Sequence, residues 1–129
     1  MALVAKKKTK KEDVPAFLPN LLKMAEILAG KKAVNIKAYD VRGLTVLCDC
    51  FLICTVNSEP QLKAVFNTIK EDMKEIGIAP LHVEGALQGG WLLMDYNDII
   101  LHVFREKARE FYDLDGMWAD SPEVKLNLE

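Results

Sequence analysis

The segment WLLMDYNDIILHVF, residues 91–104, decides the fold, because it contains two apolar runs separated by a short polar turn. Each run has the length of a β-strand, and the Asn97-Asp98 pair between them is typical of a tight hairpin. Both runs are almost continuously apolar, which indicates central strands that are covered on at least part of both faces. We therefore predict a strand hairpin within a well-covered sheet.

Further elements flank this hairpin in the sequence. The apolar periodicity predicts three helices, at 17–30, from Ser58 to Gly77 and at 106–118, and the last of them should break at Gly116. It also predicts strands at 35–41, 44–56 and 79–85. Ser58 is a candidate helix cap, with Pro60 in the first turn and Gln61 placed as in a capping box. The order α-β-β-α-β-β-β-α predicts an α/β fold with a single mixed β-sheet and helices packed against it.

Charge is distributed unevenly along the 129 residues. Residues 1–11 contain five lysines and no acids, whereas the other 118 residues contain 12 basic and 19 acidic side chains. We interpret residues 1–13 as a disordered basic tail, 14–120 as one folded domain and 121–129 as a loose C-terminal tail. An acidic domain is suited to docking on a basic protein rather than to gripping nucleic acid. A weak contact with RNA is the alternative role for the lysine tail.

Membrane and secretory classes receive no support from the sequence. The apolar runs are much shorter than the ~20 residues that cross a bilayer. The N-terminus lacks the pattern of a secretory signal, in which positive charge precedes an apolar stretch. We therefore expect a cytoplasmic protein without a membrane partner.

Cysteines and histidines are the first candidates for chemistry. Three cysteines lie within seven residues, at Cys48, Cys50 and Cys54. If 44–56 is one strand, all three point to the same face, where His82 or His102 could complete a metal site. The spacing lacks the Cys-x-x-Cys pair of zinc sites, so buried small hydrophobes are the favoured interpretation. We predict no metal site.

Carboxylates near strand ends raise the alternative of a nucleotidyltransferase-like, Mg²⁺-dependent enzyme that uses Asp40, Asp95 and Asp98. However, such a metal site needs two acids on one face of a strand, whereas Asp95 and Asp98 are three residues apart and lie on either side of a turn. The TVNS turn, residues 55–58, contains no glycine with which to cradle a phosphate. Turn acids that solvate a hairpin are the favoured interpretation, with no catalytic residues.

Trp91 stands at the head of a strand, directly after two glycines. A buried indole in the core is the ordinary case. An exposed indole beside carboxylates and a tyrosine is instead typical of a binding hot spot. The Gly-Gly approach favours the edge or end of a sheet, where the indole can reach a partner.

Four segments resemble the ribosomal silencing factor family, RsfS or Iojap. They are AYDVRGLTVLCDCFLICTVNSEPQL, GIAPLHVEG, WLLMDYNDIILHVF and EKAREFYDLDGMW. The likeness extends over residues 18–119 and keeps the order and lengths of the segments. It implies a mixed αβ domain with nucleotidyltransferase-like topology but without the catalytic carboxylates. Val56 departs from the pattern, because the family usually has a glycine there.

The resemblance also implies a function and a site. Family members bind a universal protein, number fourteen, on the intersubunit face of the large ribosomal subunit, block small-subunit joining and so repress translation. The residues that match the family's docking strands are Trp91, Asp95, Tyr96, Asp98, His102 and Phe104. We expect Trp91 to be the apolar anchor, and Asp95 or Asp98 to pair with basic residues opposite. Obstruction requires no cofactor, a homodimer is compatible with the family, and a large-subunit assembly factor is the remaining alternative.

Overall fold

Five strands form one mixed sheet in the computed structural model, which describes residues 14–128. The strands are β1 (Val34–Asp40), β2 (Cys50–Val56), β3 (His82–Ala86), β4 (Trp91–Asp95) and β5 (Ile99–Arg105). The helices are α1 (Leu18–Gly30), α2 (Glu59–Glu75), α3 (Glu106–Tyr112) and α4 (Leu114–Met117), with a short 3₁₀ helix at Leu87–Gly89. The predicted α/β class is confirmed, and the predicted basic tail, residues 1–13, lies outside the described residues.

The sheet order is β1-β2-β5-β4-β3, so the strand that closes the hairpin is the middle strand. β2 and β5 run parallel, and the other neighbouring pairs are antiparallel. The predicted hairpin of β4 and β5 is confirmed, with Trp91 opposite Phe104 and Asp95 opposite Ile100. Asn97 adopts a φ of 80° in the turn, a conformation that asparagine tolerates better than most residues.

Helices α1 and α2 cover one face of the sheet. Their apolar stripes pack on alternate residues of the strands, and the fully buried contributors include Leu21, Leu28, Leu62, Ile69, Leu52, Cys54, Val56, Met94, Leu101 and Val103. Burial of each large side chain contributes about 1.5–3 kcal/mol. The predicted cap of α2 is also confirmed, since Ser58 Oγ accepts a hydrogen bond from Gln61 N at 3.1 Å. The Gln61 side chain accepts in return from Asn57 N, one residue earlier than in a standard capping box.

The opposite face carries a second core, part of which the C-terminal helices α3 and α4 cover. Phe51, Ile53, Ile100 and Phe104 are among its buried members, and Ala108, Leu114 and Trp118 from the α3–α4 region pack on them. On the same face, Leu93 of β4 is half-buried and Glu84 of β3 is exposed. The sheet is therefore open to solvent over β3 and β4.

The second strand is shorter than predicted, because it begins at Cys50 rather than at residue 44. A turn in which Leu44 N donates to Val41 O leads into a loop, residues 44–49, with Val46 fully exposed. Cys48 therefore belongs to the core beneath α3 and α4, whereas Cys50 and Cys54 face α1 and α2. The expectation that all three cysteines share one face is wrong for Cys48.

All three cysteines are free and buried. Burial raises the pKa of the Cys48 thiol to about 11 and that of Cys54 to about 12, and it raises the pKa of Cys50 as well. These thiols behave as small hydrophobes, which agrees with the interpretation favoured from sequence. Within residues 14–128, no three His, Cys, Asp or Glu side chains are grouped so that they could hold a metal ion.

The C-terminal helix breaks at Asp113, not at the predicted Gly116. Asp113 has a φ of 50° and ends α3, and its side chain accepts a hydrogen bond from Gly116 N at 3.1 Å to begin α4. Asp113 is thus both the C-cap of α3 and the N-cap of α4. Gly116 lies inside α4.

The C-terminal segment, residues 121–129, is predicted to be loose, but residues 122–126 are docked on the sheet. Asp40 N donates to Pro122 O, and Val124 N donates to Ala38 O, both at 2.8 Å. Val124 also packs against the core on the α1–α2 face. The segment covers the outer edge of β1, so β3 is the edge strand that the described residues leave uncovered. None of the described helices is long and apolar enough to span a membrane.

Candidate functional site

Trp91 lies on the open part of the sheet. It shares a face with Leu93 and Asp95, because side chains at alternate positions of β4 point to the same side. Glu84 of β3 joins this face, since it is directly opposite Leu93. With Tyr112 of α3, which packs on the indole, these residues form what we call the Trp91 surface: Glu84, Trp91, Leu93, Asp95 and Tyr112.

Aromatic rings support the indole from below and from one side. Trp91 stacks on the buried Phe104, with ring centroids 5.2 Å apart, and contacts the exposed Tyr112 at 4.3 Å. Such aromatic pairs contribute about 0.5–1.5 kcal/mol each beyond the area that they bury. Trp91 is consequently half-buried. One side of the indole seals the second core, and the remainder is presented to solvent.

A hydrogen bond fixes the polar edge of the indole. Trp91 Nε1–H donates to His102 Nδ1 at 3.0 Å, across the β4–β5 pair. His102 is 4% exposed, and burial lowers its pKa to about 4. The imidazole is therefore neutral near pH 7, as it must be in order to accept this bond.

Carboxylates surround the apolar centre of the surface. Glu84 is exposed and contacts His82 Nε2 through its carboxylate at 2.6 Å. Asp95 is half-buried, and its carboxylate accepts a hydrogen bond from Asn97 N at 2.8 Å. Asp98, in the adjoining turn, is also half-buried. The arrangement gives an indole and a leucine flanked by negative charge, which is complementary to a basic partner.

Three of the six residues that match the docking strands are buried. Tyr96 is 6% exposed and belongs to the other core, on the α1–α2 face. Its hydroxyl has no hydrogen-bond partner among the described residues, and burial raises its pKa to about 12. His102 and Phe104 lie on the correct face but beneath the indole. Trp91, Asp95 and Asp98 retain exposure.

Sequence reasoning missed Glu84, Leu93 and Tyr112. Because alternate residues of a strand share a face, Leu93 must lie on the same face as Trp91. The antiparallel pairing of β3 with β4 then places Glu84 beside Leu93. A cavity of about 70 Å³ is lined by Glu84, Gly85, Trp91 and Leu93. Gly85 has a φ of 113°, and a Cβ at this position would collide with the backbone carbonyl of Trp91. Glycine is what allows β3 to approach β4 closely here.

An ion pair holds α3 and α4 against the sheet and thus keeps Tyr112 beside Trp91. Arg109 donates to both carboxylate oxygens of Asp115, at 2.8 and 3.0 Å, and to Thr55 Oγ1 at 2.9 Å. Tyr39 OH donates to Asp115 at 2.8 Å. The hydrogen bonds from Arg109 lower the pKa of the Asp115 carboxyl, and burial together with Asp115 raises that of Tyr39.

The alternative magnesium site does not form around the predicted acids. The Asp40 carboxylate accepts two hydrogen bonds from the Arg42 guanidinium, at 2.8 and 3.0 Å. Asp40, Asp95 and Asp98 are not among any group of three acids suited to a metal in the part of the chain that the structure describes. The hydrogen bond that Asp95 accepts from Asn97 N agrees with the interpretation of Asp95 as an acid that solvates the turn.

The sequence is similar to those of known proteins. Residues 15–129 match the family described as "Ribosomal silencing factor during starvation". The chain is 38% identical over 96 residues to the ribosomal silencing factor RsfS of Halalkalibacterium halodurans, covering 74% of this chain and 82% of that protein. It is 37% identical over 98 residues to RsfS of Bacillus subtilis, covering 76% and 83%. The chloroplastic protein Iojap of Arabidopsis thaliana is 26% identical over 118 residues, covering 92% and 49%.

Solved structures show the same fold. The crystal structure of a protein from Chromobacterium violaceum gives a TM-score of 0.74 at 27% identity, covering 87% of this chain and 93% of that chain. A crystal structure of a protein from Bacillus halodurans gives a TM-score of 0.71 at 35% identity, covering 84% and 99%.

Proposed function

Because the chain belongs to the ribosomal silencing factor family, we propose that it binds the large ribosomal subunit through the Trp91 surface and blocks the joining of the small subunit. The proposed partner is universal protein fourteen on the intersubunit face. Silencing by obstruction is a regulatory role and not a catalytic one. The observation that carries the proposal is the half-exposed indole on an open sheet face that is flanked by carboxylates.

The chemistry of the surface suits a ribosomal protein. Trp91 and Leu93 supply the apolar centre, and large aromatic anchors dominate the energy of protein interfaces. Glu84 and Asp95 supply negative charge, whereas proteins that contact RNA phosphates carry positive charge. Each exposed ion pair would contribute at most about 1 kcal/mol, so charge steers the encounter and the indole provides most of the affinity.

Co-sedimentation with isolated large subunits tests the docking site. We expect Trp91→Ala to weaken binding by about 30-fold, which corresponds to about 2 kcal/mol for loss of an aromatic anchor. Glu84→Lys should weaken binding several-fold, and its matched control is Glu71→Lys on the exposed side of α2, which should bind normally. Circular dichroism verifies that each variant is folded. A folded Trp91→Ala variant that binds like the parent protein contradicts the proposal.

A subunit-joining assay tests the block itself. Large subunits loaded with the protein are mixed with small subunits, and the fraction of assembled ribosomes is measured by sucrose-gradient centrifugation. The protein should lower this fraction, and the Trp91→Ala variant should not. Binding without any effect on joining would instead indicate the large-subunit assembly factor.

A further inference from the structure

The indole of Trp91 leans across the hairpin toward a residue that is not its direct neighbour. Trp91 is opposite Phe104 in the β4–β5 pair, whereas His102 is opposite Leu93. The bond from Trp91 Nε1–H to His102 Nδ1, at 3.0 Å, is therefore a diagonal contact on one face of the sheet. It joins the half-exposed indole to a side chain that is itself almost completely buried.

Within the described residues, the His102 side chain makes this one hydrogen bond. Because Nδ1 accepts, the proton of the neutral ring is on Nε2. That nitrogen is buried and has no hydrogen-bond partner among residues 14–128. The imidazole otherwise packs against the rings of Phe51 and Phe104, at centroid distances of 5.5 and 6.0 Å. A phenylalanine would satisfy this aromatic environment without an unpaired buried N–H, so packing alone does not account for a histidine.

We propose that His102 is a positioning residue for docking: it holds the nitrogen edge of the Trp91 indole inward, so that the apolar part of the ring is presented to the partner in one orientation. This inference rests on the proposed function of the Trp91 surface. His102 contacts no partner itself, which distinguishes its role from the direct contact that the resemblance implies. Since the indole N–H is already bonded, the partner needs an apolar surface and no acceptor for it.

Orientation of the indole before binding lowers the cost of association. A free tryptophan side chain would have to be ordered when the partner binds, and ordering one side chain is commonly reflected in roughly a three- to tenfold change in affinity. Phe104 restricts the ring by stacking and Tyr112 by a tilted contact, but neither contact defines which edge faces inward. The hydrogen bond to His102 supplies that definition.

Two substitutions separate positioning from packing. His102→Phe keeps a buried ring and removes the acceptor, whereas His102→Asn loses the ring and keeps an acceptor near the position of Nδ1. If His102 positions the indole, His102→Phe should be the more stable variant and His102→Asn the tighter binder to large subunits. Affinity for His102→Phe should be about three- to tenfold below that of the parent protein. A purely structural role predicts that affinity follows stability, with His102→Phe binding as well as or better than His102→Asn.

The indole N–H resonances provide a second readout that needs no ribosome. In a ¹H–¹⁵N spectrum, the Trp91 indole signal should shift and exchange faster with solvent in His102→Phe, while the Trp118 indole signal serves as the internal reference. Loss of binding by Trp91→Ala with unchanged binding by His102→Phe would overturn the positioning role alone. Unchanged binding by Trp91→Ala would overturn the proposed docking function, whatever the spectrum shows.

Discussion

The folded protein should lose stability in mild acid because His102 must remain neutral. Burial lowers the pKa of this histidine from 6.5 to about 4, and its ring neighbours Phe51, Trp91 and Phe104 carry no charge that would offset the penalty. Below pH 6.5 the unfolded chain binds a proton at this position while the folded chain does not. The unfolded state is therefore stabilised relative to the folded state as the pH falls.

The size of the effect follows from the difference between the two pKa values. A difference of one pKa unit corresponds to about 1.4 kcal/mol. The free energy of unfolding should fall by about 2 kcal/mol between pH 7 and pH 5, and by about 3 kcal/mol at pH 4. Above pH 7 the histidine is neutral in both states, and its contribution to the pH dependence vanishes. The lowered pKa of Asp115 stabilises the fold above the ordinary value of 3.8, and this contribution is lost as the pH falls below that value, so the two effects occupy separate pH windows.

Urea unfolding between pH 7 and pH 5, followed by circular dichroism, measures this slope. His102→Phe removes the titrating group and should flatten the slope by about 2 kcal/mol over the two pH units. Ile69→Val, in the core beneath α1 and α2, is the control, because it lowers stability without removing a titrating group and should keep the parent slope. If His102→Phe and the parent protein lose the same stability between pH 7 and pH 5, the argument from a buried neutral imidazole is refuted.

Three further predictions concern the support of the site. Gly85→Ala should destabilise the fold by about 1–3 kcal/mol, since its φ of 113° and the nearby Trp91 carbonyl leave no room for a Cβ, and the urea midpoint reports this loss. Asp115→Asn weakens the ion pair with Arg109, so backbone amides of α3 and α4 should exchange faster while those of α1 remain protected, as hydrogen exchange can measure. The three cysteines should resist alkylation at pH 8 and react only on unfolding, because burial raises their pKa values, as mass spectrometry after timed labelling can establish.

The strands and helices that follow a clear apolar period could be predicted from the sequence, whereas one β-prone stretch misled the prediction. Residues 44–49 contain threonine and valine among apolar residues, and these two favour strands because they fit a pleated, half-buried surface. Here the turn after Val41 directs the chain away from the sheet, and Leu44, Val46 and Leu47 remain exposed. Without a neighbouring strand, the intrinsic preference of these residues has nothing to pack against.

The break between α3 and α4 shows a second limit of the sequence. Gly116 is the stronger helix breaker by propensity, so it is the residue that a sequence argument selects. Asp113 takes the left-handed conformation instead, and its carboxylate pays part of that cost by capping the next helix at Gly116 N. Local hydrogen bonding by a short polar side chain decided the boundary. Glycine at position 116 leaves room for the capping carboxylate, because a Cβ there would collide with the Asp113 side chain.

The residues predicted for the docking site fall into an exposed group and a buried group, and the sequence alone does not separate them. Parity separates Trp91 and Asp95, which point to the open face, from Tyr96, whose side chain joins the helix-covered core. The same rule places His102 and Phe104 on the Trp91 side, yet both are buried because β5 is the middle strand and the indole lies over them. Alternation along a strand determines the face of each side chain, but the exposure of that face depends on α3, α4 and Trp91 itself. A sequence match along two docking strands therefore combines residues that can touch a partner with residues that can act only through the indole above them.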